Sequence, residues 1–207
     1  MRRERARVAA LAVALLGWSA LAPRLSKRWN PLPQAVFGAV AVAGLRPPLG
    51  LRLPELGRGL RWGGVAASTV VATVAVGTLL PPVRAGMAGR ELPAEPARWL
   101  LLRIPFGTVW SEEVTFRAAL GTAAENAFGA TAGRLLAAAV FGLSHTPDAR
   151  AADESVPLTV IATGAAGWMF SWLYARSGSL AAPMLAHLAV NEAGAMAVLA
   201  VRPRPDR

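Results

Sequence analysis

Two neighbouring acidic residues, Glu112 and Glu113, stand inside an otherwise apolar stretch of the sequence. Ionisable side chains are costly inside apolar helices, so each one is a candidate functional residue. Neighbours on a helix point about 100° apart, whereas residues four apart share a face. Glu113 is therefore spaced to form an ion pair with Arg117. Glu112 is left free to act as a general base.

The chain has only two histidines, and each belongs to a pattern with helical spacing. Phe141 precedes His145 by one turn, so its ring is expected to pack against the imidazole and limit its rotamers. His187 and Asn191 are also one turn apart and share a helix face. Both side chains can donate hydrogen bonds, which is what stabilisation of a developing oxyanion requires.

The sequence around these residues is strongly apolar. Of the 207 residues 54% are hydrophobic and only 16% are charged, and the mean hydropathy is +0.41. This composition predicts a multi-pass protein of the cell membrane, in contact with the lipid bilayer. The net charge of +10 comes from short basic clusters between apolar runs, which favours membrane loops and predicts no nucleic-acid partner. The basic residues are almost all arginine, which is typical of a GC-rich bacterial genome.

The apolar runs predict an all-α, polytopic transmembrane helix bundle of about seven spans, with six to eight as the range. The predicted runs are 8–22, 33–45, 63–80, 97–124, 131–145, 158–175 and 180–201. Residues 148–154 are predicted to form a loop. We expect residues 1–104 to form N-terminal transmembrane helices, residues 105–201 a catalytic helical core, and residues 202–207 a short basic tail.

Three motifs occur in order on separate apolar segments: Glu-Glu-x-x-x-Arg, Phe-x-x-x-His and His-x-x-x-Asn. Together they resemble the signature of the CPBP family, also called CAAX prenyl protease 2-like or Abi proteins. The resemblance covers roughly residues 105–200 and implies an intramembrane endopeptidase acting on a peptide or membrane protein. One departure is Ala118, where family members often have glycine. Glu192 is an additional acid with no assigned role.

The resemblance also implies how the motif residues divide the work. Glu112 would act as the base, and His145 would help to position and deprotonate the water. His187 and Asn191 would bind the oxyanion. The remaining motif residues would support the site: Glu113, Arg117 and Phe141.

Three alternatives accompany this hypothesis. Glu112, His145 and His187 could supply the ligands of an open zinc site, although the His-Glu-x-x-His spacing is absent. We favour metal-independent catalysis without a cofactor. A non-enzymatic immunity or scaffold protein is the second alternative, and a transporter with a proton relay is the third. The complete set of motif residues favours a working peptidase. Since there is no cysteine, a cysteine nucleophile and thiolate ligands are excluded.

Overall fold

The fold is known from a computed structural model, which describes residues 2–25, 31–90 and 93–201. These residues contain helices and no strand, which confirms the all-α prediction. The predicted basic tail, 202–207, lies outside the described residues. The α-helices in chain order are α1 (Arg2–Leu21), α2 (Leu32–Leu45), α3 (Glu55–Gly77), α4 (Pro81–Ala88), α5 (Pro96–Arg98), α6 (Thr122–Phe128), α7 (Ala130–Ser144), α8 (Thr146–Ala151), α9 (Val156–Ser177) and α10 (Ala181–Val201).

Four helical segments are long and apolar enough to cross a membrane, counting only the described residues. They are Arg2–Arg24, Glu55–Gly77, Val156–Ser177 and Ala181–Val201. Helix α2 is apolar but shorter than the roughly 20 residues that a span needs. A membrane-embedded helical bundle therefore fits the structure, while the number of seven spans stays a prediction.

The segment that carries the two glutamates is wound largely as π-helix. The first π-helix, π1, is Trp99–Trp110 and contains Pro105, and the second, π2, is Glu113–Gly121. The predicted run 97–124 is helical throughout, but its π winding is not encoded in the apolar pattern. π-Helices are rare and occur frequently at functional sites. Glu112 lies between the two π-helices.

Helices α1 and α2 pack directly against this segment. A core cluster joins Val8 and Leu15 of α1 to Phe116 and Leu120 of π2. Helix α2 approaches π2 closely at Gly38, where an added Cβ would lie 2.9 Å from Cγ2 of Val114. A larger residue at this position would push α2 away from the π-helices, so glycine allows the close contact.

Helix α8 corrects one prediction from the sequence. Residues 148–154 were expected to form a loop, but Thr146–Ala151 is helical. Pro147 occupies the first turn of this helix, where a proline needs no N–H partner and its fixed φ angle is suitable. The helix places Asp148 one turn after His145 and beside the candidate site.

Candidate active site

Glu113 is the centre of a buried polar cluster. Its side chain has no solvent exposure, and Nη2 of Arg117 lies 2.9 Å from Glu113 Oε1. The ion pair predicted from the spacing of these residues is therefore present. Nδ1 of His187 lies 2.7 Å from the same oxygen. The sequence analysis did not foresee this second contact, because the two residues are 74 positions apart.

The contact with Glu113 fixes the orientation and tautomer of His187. A carboxylate can only accept, so Nδ1 of His187 carries the hydrogen that is donated. Nε2 then points towards Glu112, and its distance to Glu112 Oε2 is 3.9 Å. Phe170 stacks on the imidazole with a centroid distance of 4.9 Å. The imidazole of His187 is thus surrounded by Glu113, Glu112 and Phe170.

Arg117 is buried among aromatic rings. Its guanidinium carbon lies 3.9 Å from the ring centroid of Phe141 and 5.1 Å from that of Phe170. Cation–π contacts of a desolvated guanidinium contribute about 2 kcal/mol. The rings therefore offset part of the cost of burying this charge, and the Glu113 carboxylate neutralises it.

His145 is also held in one tautomer. It stands at the end of α7, and its Nδ1 lies 2.8 Å from the carbonyl oxygen of Phe141. Because the carbonyl accepts, Nδ1 donates, and the lone pair of the neutral imidazole is on Nε2. The Phe141 ring packs against the imidazole edge-on, with a centroid distance of 4.7 Å. The predicted packing of Phe141 on His145 is confirmed.

Asn191 lies on α10 one turn after His187. Its side-chain Nδ2 donates to the carbonyl oxygen of His187 over 3.1 Å. One amide hydrogen is therefore used within the helix. The second is free to point into a cavity that Asn191 lines, the larger of the two described below. The structure brings Asn191 to this cavity, and its predicted role at an oxyanion stays a prediction.

Two cavities meet at Glu112 and His145. The smaller has a volume of about 220 Å³ and the larger of about 870 Å³. Asn191 lines the larger one, whereas His187 lies behind Glu112 and lines neither of the two. Oε2 of Glu112 is buried and has no hydrogen-bond partner among the described residues. Five residues line both cavities: Arg103, Thr108, Glu112, His145 and Asp148.

The sequence analysis missed Arg103 and Asp148. Arg103 is a charge within an apolar run, so the rule that selected Glu112 would also have found it. Asp148 was assigned to a loop and was therefore not considered. Burial raises the pKa of the Asp148 carboxyl, and the nearby side chains of His145 and Arg103 lower it in part.

Some atoms of the site are possible metal ligands. Nε2 of His187 and Oε2 of Glu112 face each other, and both atoms are chemically suited to zinc. No group of three or more His, Asp or Glu side chains within the described part of the chain is arranged to hold a metal ion. The zinc alternative with Glu112, His145 and His187 thus lacks a preformed three-ligand cluster.

The fold and the site define a class of protein: a helical bundle with apolar helices of membrane-spanning length and an acid–histidine centre where two cavities meet. Residues 94–193 match the family model described as type II CAAX prenyl endopeptidase Rce1-like. This segment is slightly less than half of the chain and contains every candidate site residue named above. This match confirms the resemblance drawn from the three motifs and indicates a protease. No curated protein and no solved structure matches the chain.

Proposed function

We propose that this chain is an intramembrane endopeptidase in which Glu112 and His145 activate the attacking water. The observation that carries the proposal is the junction of the two cavities. There a carboxylate oxygen that has no partner in the described part of the chain and an imidazole with its lone pair on Nε2 line the same space. Both groups can accept a proton, and an endopeptidase needs room for chain on either side of the cleaved bond.

The proposed reaction is hydrolysis of an amide bond. The water oxygen attacks the carbonyl carbon while its proton passes to Glu112 or His145. The tetrahedral intermediate then expels the amine, which takes up that proton as the C–N bond breaks. General acid–base catalysis of this kind contributes about 10²- to 10⁴-fold to the rate.

Asn191 and His187 are the proposed donors to the oxyanion. The second amide hydrogen of Asn191 can be donated directly into the larger cavity. His187 already donates from Nδ1 to Glu113, so it can serve as a donor only when Nε2 also carries a hydrogen. The carboxylate of Glu113 would stabilise this doubly protonated imidazole, as a triad aspartate stabilises an imidazolium.

The substrate is proposed at the level of class. The family description suggests C-terminal Cys-a-a-X motifs that carry a prenyl group on the cysteine. No feature of the site residues selects a peptide sequence, so two probes are needed. One is a farnesylated peptide ending in such a motif, and the other is a mixture of unmodified synthetic peptides.

The test is peptide cleavage by purified protein in detergent, with products identified by mass spectrometry. We expect Glu112→Ala, Glu112→Gln and His145→Ala to lower kcat/KM by at least about 10²-fold. Glu192→Gln is the matched control. Glu192 is also an acid within an apolar segment, but it lines neither cavity. Retained cleavage in the Glu112 and His145 variants would overturn the catalytic assignment. If the wild type cleaves neither probe, the non-enzymatic scaffold hypothesis is favoured.

A zinc-dependent version of the same peptidase is the second candidate. The observation that favours it is the Glu113–His187 hydrogen bond, since metal-bound histidines commonly donate their other N–H to a carboxylate. Zinc would polarise the substrate carbonyl and lower the pKa of bound water. His187 and Glu112 would hold it, together with His145.

A further inference from the structure

The smaller cavity is built partly by the N-terminal helices. On one side it is lined by Leu15 and Trp18 of α1 and by Gln34 and Phe37 of α2. Its other side is formed by residues of the matched segment, among them Glu112 and His145. The four N-terminal residues lie outside residues 94–193, the segment that matches the family model. This wall of the site is therefore contributed by residues outside the family match.

The volumes of the two cavities suggest different occupants. Cavities that bind drug-sized ligands have volumes of about 300–1,000 Å³. The larger cavity, at about 870 Å³, lies in this range and has room for several residues or an apolar chain. The smaller cavity, at about 220 Å³, lies below it and has room for one side chain. A peptide bond at the junction would thus place one neighbouring side chain in the smaller cavity.

The side of the smaller cavity formed by α1 and α2 carries packed apolar side chains. The rings of Trp18 and Phe37 stack with a centroid distance of 4.6 Å and an interplanar angle of 6°. Leu15 is buried in the core cluster against which Phe37 packs. Helix α2 is held against the π-helices at Gly38, the residue next to Phe37. An aromatic surface fixed in this way can discriminate between side chains by size.

Among the described residues that line the smaller cavity but not the larger one, a single buried side-chain acceptor has no partner. Four hydroxyls around it donate to carbonyl oxygens of their own helices: those of Ser19, Ser111, Thr115 and Ser144. Gln34 Oε1, in contrast, is buried and accepts no hydrogen bond from the described residues. A buried acceptor without a partner costs free energy, which a substrate N–H would recover. The part of the cavity away from the junction, which no charged side chain lines, thus suits an uncharged side chain whose backbone N–H reaches Gln34.

We propose that the smaller cavity is a specificity subsite for one uncharged side chain next to the cleaved bond. Phe37 and Trp18 set the size limit, and Gln34 Oε1 accepts a hydrogen bond from the substrate backbone. This inference rests on the proposed peptidase function and extends it to helices α1 and α2.

The first experiment compares cleavage preferences. Wild type, Phe37→Ala and Val40→Ala are incubated with an equimolar synthetic peptide mixture, and the residues around each cleaved bond are read by mass spectrometry. Val40 is the control because it lies on the same helix with 63% exposure and lines neither cavity. We expect Phe37→Ala to raise kcat/KM for peptides that have Phe or Trp at one position next to the cleaved bond, relative to peptides that have Ala there, by about tenfold or more. The preference at the other positions should not change. Val40→Ala should keep the wild-type preference.

The second experiment detects occupancy without cleavage. The chain contains no cysteine, so one introduced at Phe37→Cys is the only thiol. In a Glu112→Gln background, the peptide mixture should slow its alkylation by N-ethylmaleimide severalfold. A thiol introduced at Val40→Cys should react equally fast with and without peptide. Gln34→Met, which keeps the length of the side chain but replaces the amide oxygen by a weakly accepting thioether, should reduce this protection.

The outcomes separate the two proposals. If the wild type cleaves peptides but Phe37→Ala changes no preference and peptides do not protect the thiol, the subsite is wrong and the peptidase function stands. If no peptide is cleaved but the thiol at position 37 alone is protected, the subsite stands as a binding site and the peptidase function fails. Equal protection at both positions would contradict the subsite.

Discussion

Nδ1 of His187 and Oε1 of Glu113 are 2.7 Å apart, and Arg117 contacts the same oxygen at 2.9 Å. One carboxylate oxygen therefore serves two partners in a fully buried place. This relationship joins the first motif, in π2, to the third motif, in α10. Removing Glu113 must consequently disturb both the charge balance around Arg117 and the orientation of His187.

Glu113→Gln should strongly destabilise the protein, because it leaves the guanidinium of Arg117 buried without a counter-charge. The expected loss in free energy of unfolding is about 3 kcal/mol or more. Thermal unfolding in detergent measures it. Glu125→Gln is the matched control: Glu125 also accepts from an arginine, Arg134, at 2.9 Å, but that pair is partly exposed. There the loss should be less than about 1 kcal/mol.

The double variant Glu113→Gln/Arg117→Met separates stability from activity. Neither buried charge is left unpaired, so most of the lost stability should return. Activity should stay low, because no carboxylate is present to stabilise a doubly protonated His187. Recovery of both properties together would contradict the role given to Glu113.

Local spacing predicted those parts of the site that lie within one helix. The Glu113–Arg117 pair and the packing of Phe141 on His145 both follow from residues four apart on one face. The contact between His187 and Glu113 joins distant segments, and helical periodicity contains no information about it. Four of the predicted apolar runs coincide with helices of membrane-spanning length. This agreement depends only on length and hydropathy, which can be read directly from the sequence.

The parts that were not predicted have identifiable physical causes. The π winding on either side of Glu112 depends on backbone hydrogen bonding, which the apolar pattern does not report. Asp148 was assigned to a loop because polar residues and a proline surround it. The wall formed by Trp18 and Phe37 depends on how α1 and α2 pack on the π-helices, and no motif marks either residue.

Gly167→Ala should reduce activity through Phe141. A Cβ at Gly167 would lie 2.7 Å from Cδ1 of Phe141, so the ring must move. Its movement would disturb the orientation of His145, and misplacement of a catalytic group by about 1 Å can cost 10²-fold in rate. Gly164→Ala is the control on the same helix, because its nearest contact would be an ordinary 3.5 Å. Equal activity of the two variants in the peptide assay would contradict this positioning role.

Asp148→Asn should stabilise the protein at neutral pH. The raised pKa means that the ionised carboxyl is less favourable in the folded state than in the unfolded state. The wild type therefore loses stability as the pH rises through that pKa, whereas asparagine stays neutral. Because the carboxyl is partly solvated, the gain in Tm at pH 7 should be about 2 °C or less. The gain in Tm should vanish near pH 4 and below. A gain that becomes larger towards acid pH would contradict a raised pKa of Asp148.

Activity should survive treatment with excess chelator. The described residues contain no preformed group of three ligands, and the favoured chemistry uses Glu112 and His145 directly. The measurement is peptide cleavage before and after dialysis against chelator, together with the metal content of the purified protein. Complete loss of activity that stoichiometric zinc restores would establish the metal-dependent alternative instead.

Asn191→Asp should lower kcat while leaving KM nearly unchanged. The substitution is nearly isosteric but removes the amide hydrogen that faces the larger cavity, and loss of one oxyanion donor costs about 10²- to 10³-fold in kcat. A group that acts only in the transition state affects kcat, whereas one that binds the substrate equally in the ground state raises KM. Asn191→Asp also removes the bond to the His187 carbonyl, so helix stability must be measured in parallel. A raised KM with unchanged kcat would assign Asn191 to substrate binding and leave the oxyanion without its direct donor.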